Sequence, residues 1–395
     1  MPTYPTYKLG DVAEIILGQS PESKSYNTKG EGLPFFQGKS EFTDWFPVPN
    51  KWCTEPKKIA EPLDILLSVR APVGPTNVAK EKCCIGRGLA AIRYPECYKY
   101  VLYYLRSVSK HLESKATGTT FSSISGDVIR NLPIPLPPLL TQHQIVSRIE
   151  SLFAELDKAV EHLRTAQQQL KTYRQAVLNH WLNNDDGKWE TVKIESVANV
   201  VSGYAFKSNL FKDSGKYQII RIGNIRPGII RINESPVYYD EIPNRTSSKV
   251  LLKKKDVIIT LTGTRKKRDY GYTAMVTQEN LLLNQRLAYF RFDNKQYEPA
   301  FFLYYSWTDS FKDNFFSYET GNVGQGNVGI KAITKTEIPI PPLPEQQRIV
   351  EEIETRLSQA EAAEARIAEA LQKTEALRQS ILKKAFSGEL VPILQ

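Results

Sequence analysis

Residues 134–146 read IPLPPLLTQHQIV, and residues 338–350 read IPIPPLPEQQRIV. The two stretches align without a gap at an offset of 204, and the sequence after them keeps step: Arg174-Gln175 matches Arg378-Gln379, and Leu178 matches Leu382. A proline run leading into a long helical pattern, present twice, makes the chain a two-fold repeat. Pro133, Pro135, Pro137 and Pro138 oppose helix and favour extended backbone. The first helix is therefore predicted to start near Thr141, a fair N-cap, and the second near Glu345.

Downstream of the first proline run, Ile145, Ile149, Leu152, Leu156, Ala159, Leu163, Ala166, Leu170, Tyr173 and Val177 alternate spacings of four and three, the signature of a coiled-coil seam. The second seam runs Ile349, Ile353, Arg356, Ala360, Ala363, Ile367, Ala370, Thr374, Leu377 and Ile381. It is richer in small residues, which let two helices approach closely. Stops follow each helix: Asn183-Asn184-Asp185-Asp186-Gly187, and Gly388 as a C-cap.

Working outward, residues 1–133 and 188–337 repeat one layout with different content. KLGDVAEIILG at 8–18 parallels KIESVANVVSG at 193–203, and DILLSV at 64–69 parallels DVIITL at 256–261. Residues 35–40 parallel 219–224, and Gly86-Arg87-Gly88-Leu89 parallels Asn284-Gln285-Arg286-Leu287. The segment at 98–110 has helical spacing, matched by 301–305, and the hydroxyl-rich run at 117–125 reads as a loop. The expected domains are a head at 1–133, proline run and helix at 134–187, a second head at 188–337, and proline run and helix at 338–395.

Each helix is long and has a single apolar seam, so it needs a partner, and its own copy is the nearest one. A head whose two ends lie close together would bring the end of helix one to the start of helix two. The helices are then antiparallel. The expected class is α+β: two mixed α/β heads joined by two long antiparallel helices, with pseudo-two-fold symmetry. Two heads held at fixed spacing suit a reader of duplex DNA, and because they differ in sequence, the two half-sites should differ.

Composition agrees with a globular chain that has a polyanionic partner. The 395 residues carry a formal net charge of +9, with hydrophobic residues at 41%, and a basic balance favours phosphate neutralisation. Cys53, Cys83, Cys84 and Cys97 form no C-x-x-C pair and read as buried, reduced thiols. The first residues, MPTYPTYKLGDV, do not resemble a signal peptide, and no apolar run approaches a membrane span. A cytoplasmic location is the expectation.

Candidate DNA contacts rest on charge and loop placement. The densest cationic cluster is Arg265-Lys266-Lys267-Arg268, behind Lys253-Lys254-Lys255. The first head offers Gln19, Lys24, Tyr26, Lys29, Lys39, Arg70, Arg87, Lys115 and Thr119. The second adds Lys207, Arg221, Asn224, Arg286, Asn322, Gln325 and Asn327, whose amides are suited to adenine edges. Gly324-x-Gly326-x-x-Gly329 fits G-x-G-x-x-G but precedes sequence expected to be extended, so the helix N-terminus that would cradle a phosphate is missing from that reading.

No catalytic or metal-binding residues are expected. Glu22-x-Lys24 and Glu113-x-Lys115, with Asp11 or Asp64 as a second carboxylate, supply only a chance-level nuclease pattern. His111, His143, His162 and His180 are isolated, and there is no Walker A motif and no Asn-Pro-Pro-aromatic or Asp-Pro-Pro-aromatic amino-methylation motif.

With its two proline runs, the long helices after them and the DILLS and DVIIT strands, the chain resembles the specificity subunits of type I DNA restriction-modification enzymes. Leu343-Pro344-Glu345-Gln346 has the family's usual form, and Leu140-Thr141-Gln142 departs from it. The resemblance implies two target-recognition domains, each reading one half of an asymmetric bipartite site in double-stranded DNA. It implies helices that set the spacer and dock two methyltransferase (M) subunits, which bind S-adenosylmethionine and methylate adenine. Restriction (R) subunits using ATP and Mg2+ would join them. This chain would bind no cofactor itself. A specificity subunit of a methyltransferase-only or type II-like system is the alternative.

Overall fold

A computed structural model describes residues 4–117, 122–184, 187–242, 249–293, 295–322 and 324–391. The chain divides into two compact units, Met1–Thr165 with Ala368–Gln395, and Ala166–Ile367. Among the described residues no helix is long and apolar enough to cross a membrane.

Unit 1 contains a four-stranded antiparallel sheet in the order Glu14–Leu17, Leu89–Arg93, Ile65–Ser68, Thr76–Val78. Unit 2 repeats the order with Ala198–Ser202, Leu287–Phe292, Val257–Thr260 and Thr273–Met275. Ile65–Ser68 and Val257–Thr260 are buried along their whole length, which is why DILLS and DVIIT read as near-continuous apolar runs. In each unit a parallel pair lies beside this sheet: Leu33–Phe36 with Cys83–Ile85, and Tyr217–Ile220 with Leu281–Leu283.

The repeat extends to single side chains. Asp64 and Asp256 are each 2% exposed. The Arg93 guanidinium donates to both oxygens of Asp64, at 2.9 and 2.8 Å, and Arg291 does the same to Asp256 at 2.8 and 2.6 Å. Each carboxylate also accepts a backbone N–H three residues upstream, from Glu61 or Lys253. Asp64 is thereby committed to an ion pair and is not available as a nuclease carboxylate.

Each proline run forms an edge strand. Pro133–Pro135 pairs antiparallel with Thr6–Lys8, and Glu337–Pro339 with Thr191–Lys193, with Ile134 and Ile338 fully buried. Edge placement suits proline, which lacks an N–H for a central ladder. The long helices then begin at once, as Leu139–Leu182 and Leu343–Phe386, each of 44 residues. Both start two residues earlier than expected. First-turn N–H groups have no intrahelical acceptor, so the prolines, Pro344 included, do not delay the helix. Thr141 lies in the first turn and is not the N-cap.

Within unit 1, Ile145 and Ile149 of the first helix share a core with Leu382 and Ala385 of the second, and Asp157 pairs with Arg378. Within unit 2, Val177, Leu178 and Leu182 share a core with Ile349, Val350 and Ile353, and Arg174 meets Glu364 at 3.1 Å. In both units rising numbers on one helix face falling numbers on the other, so the pair is antiparallel. Leu152, Leu156, Leu163, Leu170, Ile367 and Ile381 are only half-buried. Tyr173 and Leu377 depart from the expected seams, at 38% and 51% exposed; the second helix keeps Thr374 inward as expected but beyond it buries Leu382 and Ala385. A straight helix drifts from a strict 3.5-residue repeat by roughly 20° per heptad, enough to move the buried stripe by one position. Beyond the helix Gly388 adopts φ 84°, the left-handed geometry expected of a C-cap.

Candidate nucleic-acid interface

In unit 1 the chain reverses at three neighbouring places: after Leu17, after Phe36, and between Ile85 and Leu89. These reversals and the segment after Ser68 enclose a cleft of about 690 Å³, lined by Ser20, Gln37, Lys39, Ser68, Arg70 and Arg87 among others; no carboxylate lines it among the described residues, Glu41 behind it being bonded to the Gly38 N–H and the Ser40 hydroxyl. The approach is close: a Cβ on Gly88 would lie 2.0 Å from the Gln37 carbonyl oxygen, so only glycine fits there. The structure brings together Lys39, Arg70 and Arg87 of the sequence candidates. Gln19 is exposed next to Ser20, its N–H held by the Ile85 carbonyl at 3.1 Å. Sequence reasoning missed Gln37 and Ser20, although the parallel between residues 35–40 and 219–224 pointed at the turn that holds Gln37.

The other candidates of unit 1 stand elsewhere. Lys24 is paired with Glu22 at 3.0 Å. Lys29 is exposed in a turn built on Asn27, and Lys115 caps a short helix. Tyr26 is half-buried and anchored: its hydroxyl donates to the Pro21 carbonyl at 2.7 Å and its ring packs on Phe35 at 4.7 Å. Burial raises its phenol above the usual range. Thr119 lies outside the described residues.

In unit 2 the cationic run forms the tip beyond strand Thr262–Thr264, which pairs with Gln325–Asn327, itself paired with Thr320–Gly321. Arg265 donates to Glu319 at 2.8 Å, and Arg268 lies over the Phe316 ring at 4.8 Å. Lys266 and Lys267 are exposed. Glu319 also accepts the Tyr270 hydroxyl, and that bond, with Arg265, holds its carboxyl below the ordinary value of 4.5. The tip is thus tied at one end to Glu319, just before the strand Thr320–Gly321, and at the other to Phe316 of the helix Asp309–Ser317, and is bare in the middle. Asn322 and Gln325 are exposed alongside it, Asn327 is half-buried in the ladder, and Lys207 is exposed before a short turn.

Asn224 is a correction. It is 3% exposed, its amide donates to the carbonyls of Arg231 and Glu234 at 3.1 and 2.8 Å, and its oxygen accepts the Arg221 N–H at 2.9 Å. The side chain is spent on shaping its own turn and leaves nothing for a base. The glycine run is corrected in its reasoning. Residues after Gly329 form a short helix, Ile330–Thr334, where extended chain was expected. The rejection stands on other ground, since Gly326 is covered by the Tyr270 hydroxyl and Glu319, within 2.5 Å of where a Cβ would be. All four cysteines are buried and free, and burial pushes the Cys83 and Cys84 thiols up to about 12.

The model of the type I restriction modification DNA specificity domain matches residues 1–163 and again 186–373. Over 169 residues the chain is 40% identical to a Methanocaldococcus jannaschii protein named provisionally as the specificity subunit of type I restriction enzyme MjaX, which spans 42% of this chain and 39% of that protein. It is 22% identical to the EcoBI specificity subunit of Escherichia coli over 97% of this chain and 85% of that one. The match to the EcoKI specificity subunit of Escherichia coli strain K12 is 25%, over 89% and 80%. Among solved structures, a chain from a study of complex assembly and conformational transition of the type I R-M system superposes with TM-score 0.75 at 19% identity, covering 98% of this chain and 99% of that one. The HsdS subunit of Thermoanaerobacter tengcongensis superposes with TM-score 0.63 at 20% identity, covering 98% and 97%.

Proposed function

Because the chain belongs to the family of type I restriction-modification DNA specificity domains, we propose that it is the DNA-recognition subunit of such a complex, each unit reading one half of a bipartite duplex site. The observation that carries this is the duplicated scaffold with unlike reading edges: one sheet order twice, with a cleft lined by Lys39, Arg70 and Arg87 in unit 1 and a cationic tip in unit 2. A repeated frame with divergent loops suits two half-sites of different sequence. Exposed Lys39, Arg70, Lys266 and Lys267 would neutralise phosphates, fixing position without specifying sequence.

The chain recognises, and the chemistry belongs to its partners. Two methyltransferase subunits would dock along the long helices, bring S-adenosylmethionine and methylate adenine flipped out of the duplex. Restriction subunits would bring ATP and Mg2+. The site of action would be the cytoplasm, where host and incoming DNA meet. The helices would set the unread spacer, since each residue adds about 1.5 Å of rise.

The test is methylome sequencing of cells carrying the complex. A bipartite motif is expected. Inserting one helical turn in both long helices should change the spacer and leave both half-sites intact; altered half-sites would sink the ruler.

A further inference from the structure

The backbone of the two units fixes a residue-by-residue equivalence at the reading edge. The Phe36 carbonyl accepts the Gly86 N–H at 2.8 Å, as the Ile220 carbonyl accepts that of Asn284 at 2.9 Å. The Ile85 carbonyl accepts the Gln19 N–H at 3.1 Å, as that of Leu283 accepts Tyr204 at 2.9 Å. The Val69 N–H reaches the Gly88 carbonyl at 2.9 Å, as Leu261 reaches Arg286 at 2.9 Å. These bonds equate Gln37 with Arg221 and Arg87 with Gln285. One amide and one guanidinium therefore occupy the same two positions in both units, in exchanged order.

The surroundings suit both side chains to a ligand. Gln37 and Arg87 line the cleft, on whose wall no carboxylate stands among the described residues. Gln285 is exposed, its N–H is shared between the Tyr204 carbonyl and the Asn284 side-chain oxygen, and its own side chain makes no hydrogen bond among the described residues. Arg221 uses one terminal nitrogen on the Ser235 carbonyl at 2.6 Å and keeps its other donors. In the major groove a guanidinium pairs with O6 and N7 of guanine and a carboxamide with N6 and N7 of adenine. Neither pairing suits the other purine.

We propose that these two positions read base edges, Arg87 and Arg221 on guanine and Gln37 and Gln285 on adenine, so that the two half-sites carry the two purines in exchanged order. The proposal rests on the duplex-reading function above. It adds a code: an amide–guanidinium exchange in the protein corresponds to an adenine–guanine exchange in the DNA.

The full chain, purified with its methyltransferase subunits, would be given S-adenosylmethionine and a duplex library randomised over both half-sites, and the methylated products sequenced. Arg87→Gln is expected to shift one position of one half-site from guanine to adenine by roughly 10-fold. The other half-site should be unchanged, which also shows that the variant is folded. Gln285→Arg should produce the reverse shift in the other half-site. If Arg87→Gln abolishes methylation, Arg87→Lys decides: the charge stays, the fork is lost, and the same position should relax. A motif unchanged in either Arg87 variant, or methylation lowered equally at all sequences, overturns the code. Absence of any motif with the unaltered chain would instead overturn the function it rests on.

Discussion

Asp64 and Asp256 show how a residue-level repeat survives where loops diverge. Each is a buried carboxylate with a two-pronged arginine and a turn N–H, and its arginine lies on the neighbouring central strand. Removing Asp256 would leave the Arg291 guanidinium half-buried with no other carboxylate partner among the described residues, so Asp256→Ala should cost unit 2 about 2–3 kcal/mol, whereas Arg93 in unit 1 keeps Glu14 at 2.8 Å. Urea unfolding would show it, and a loss below about 0.5 kcal/mol would mean that water replaces the pair. Glu319 gives a pH signature. The Tyr270 hydrogen bond and Arg265 depress its folded pKa, so its contribution is present above the unfolded value and is lost as pH falls through the folded one. Thermal melts should show Glu319→Gln less stable than the parent at pH 7, with the difference closing in the acid range below the ordinary glutamate value; a constant gap would reject the assignment. The aligned sequences DILLSV and DVIITL made the aspartates legible as a pair. Their arginines were not, because the partner lies on another strand at a distance no local pattern encodes.

At the scale of the element, the proline run and its helix are joined by one side chain that pattern reading passed over. Gln142 is 2% exposed, donates to the Pro137 carbonyl at 2.9 Å and accepts the Tyr94 hydroxyl at 3.2 Å. Gln346, its equivalent, is fully buried, donates to the carbonyls of Pro341 and Gln296 at 2.8 and 3.2 Å, and accepts the Glu298 N–H at 2.8 Å. A carbonyl facing proline has no ladder partner, and the glutamine of the first helical turn supplies one. Gln346→Ala strands three backbone groups and should destabilise unit 2 by about 2–4 kcal/mol. Chemical denaturation monitored in unit 2 checks this, and an effect under about 1 kcal/mol would mean that the clamp is dispensable. Helix existence, length and duplication were readable because apolar spacing of three and four persists over many turns. The start was not, since prolines suppress helix in general yet are harmless in its first turn, and Leu377 was misplaced because a strict heptad drifts from 3.6 residues per turn. At the reading edge the sequence alignment placed Gly86-Arg87-Gly88 against Asn284-Gln285-Arg286, and the backbone hydrogen bonds agree. Tyr26 and Asn224 looked like contacts because residue type says nothing of whether a polar group is already satisfied.

At the scale of the molecule, the boundaries of the compact units cut through both long helices and ignore the boundary of the sequence repeat. Unit 1 draws on Met1–Thr165 and Ala368–Gln395, whereas unit 2 is one continuous stretch. The core around Tyr100, Leu105, Ile145 and Ile149 is closed by Leu382 and Ala385, and Phe386 packs edge-on against the Tyr100 and Tyr104 rings at 5.2 Å. The Tyr4 hydroxyl likewise reaches the Val391 carbonyl at 2.7 Å. A chain stopped after Ile367 should keep a protease-resistant unit 2 and lose protection throughout unit 1. Limited proteolysis with mass spectrometry would show it, and an intact unit 1 core would refute the dependence. This arrangement orders events at the ribosome. Domains ordinarily finish in the order they are translated. Here the residues made first must wait with Tyr100, Ile145 and Ile149 uncovered until the whole of unit 2 has emerged and residues 368–391 follow it, so the second half of the protein is completed before the first.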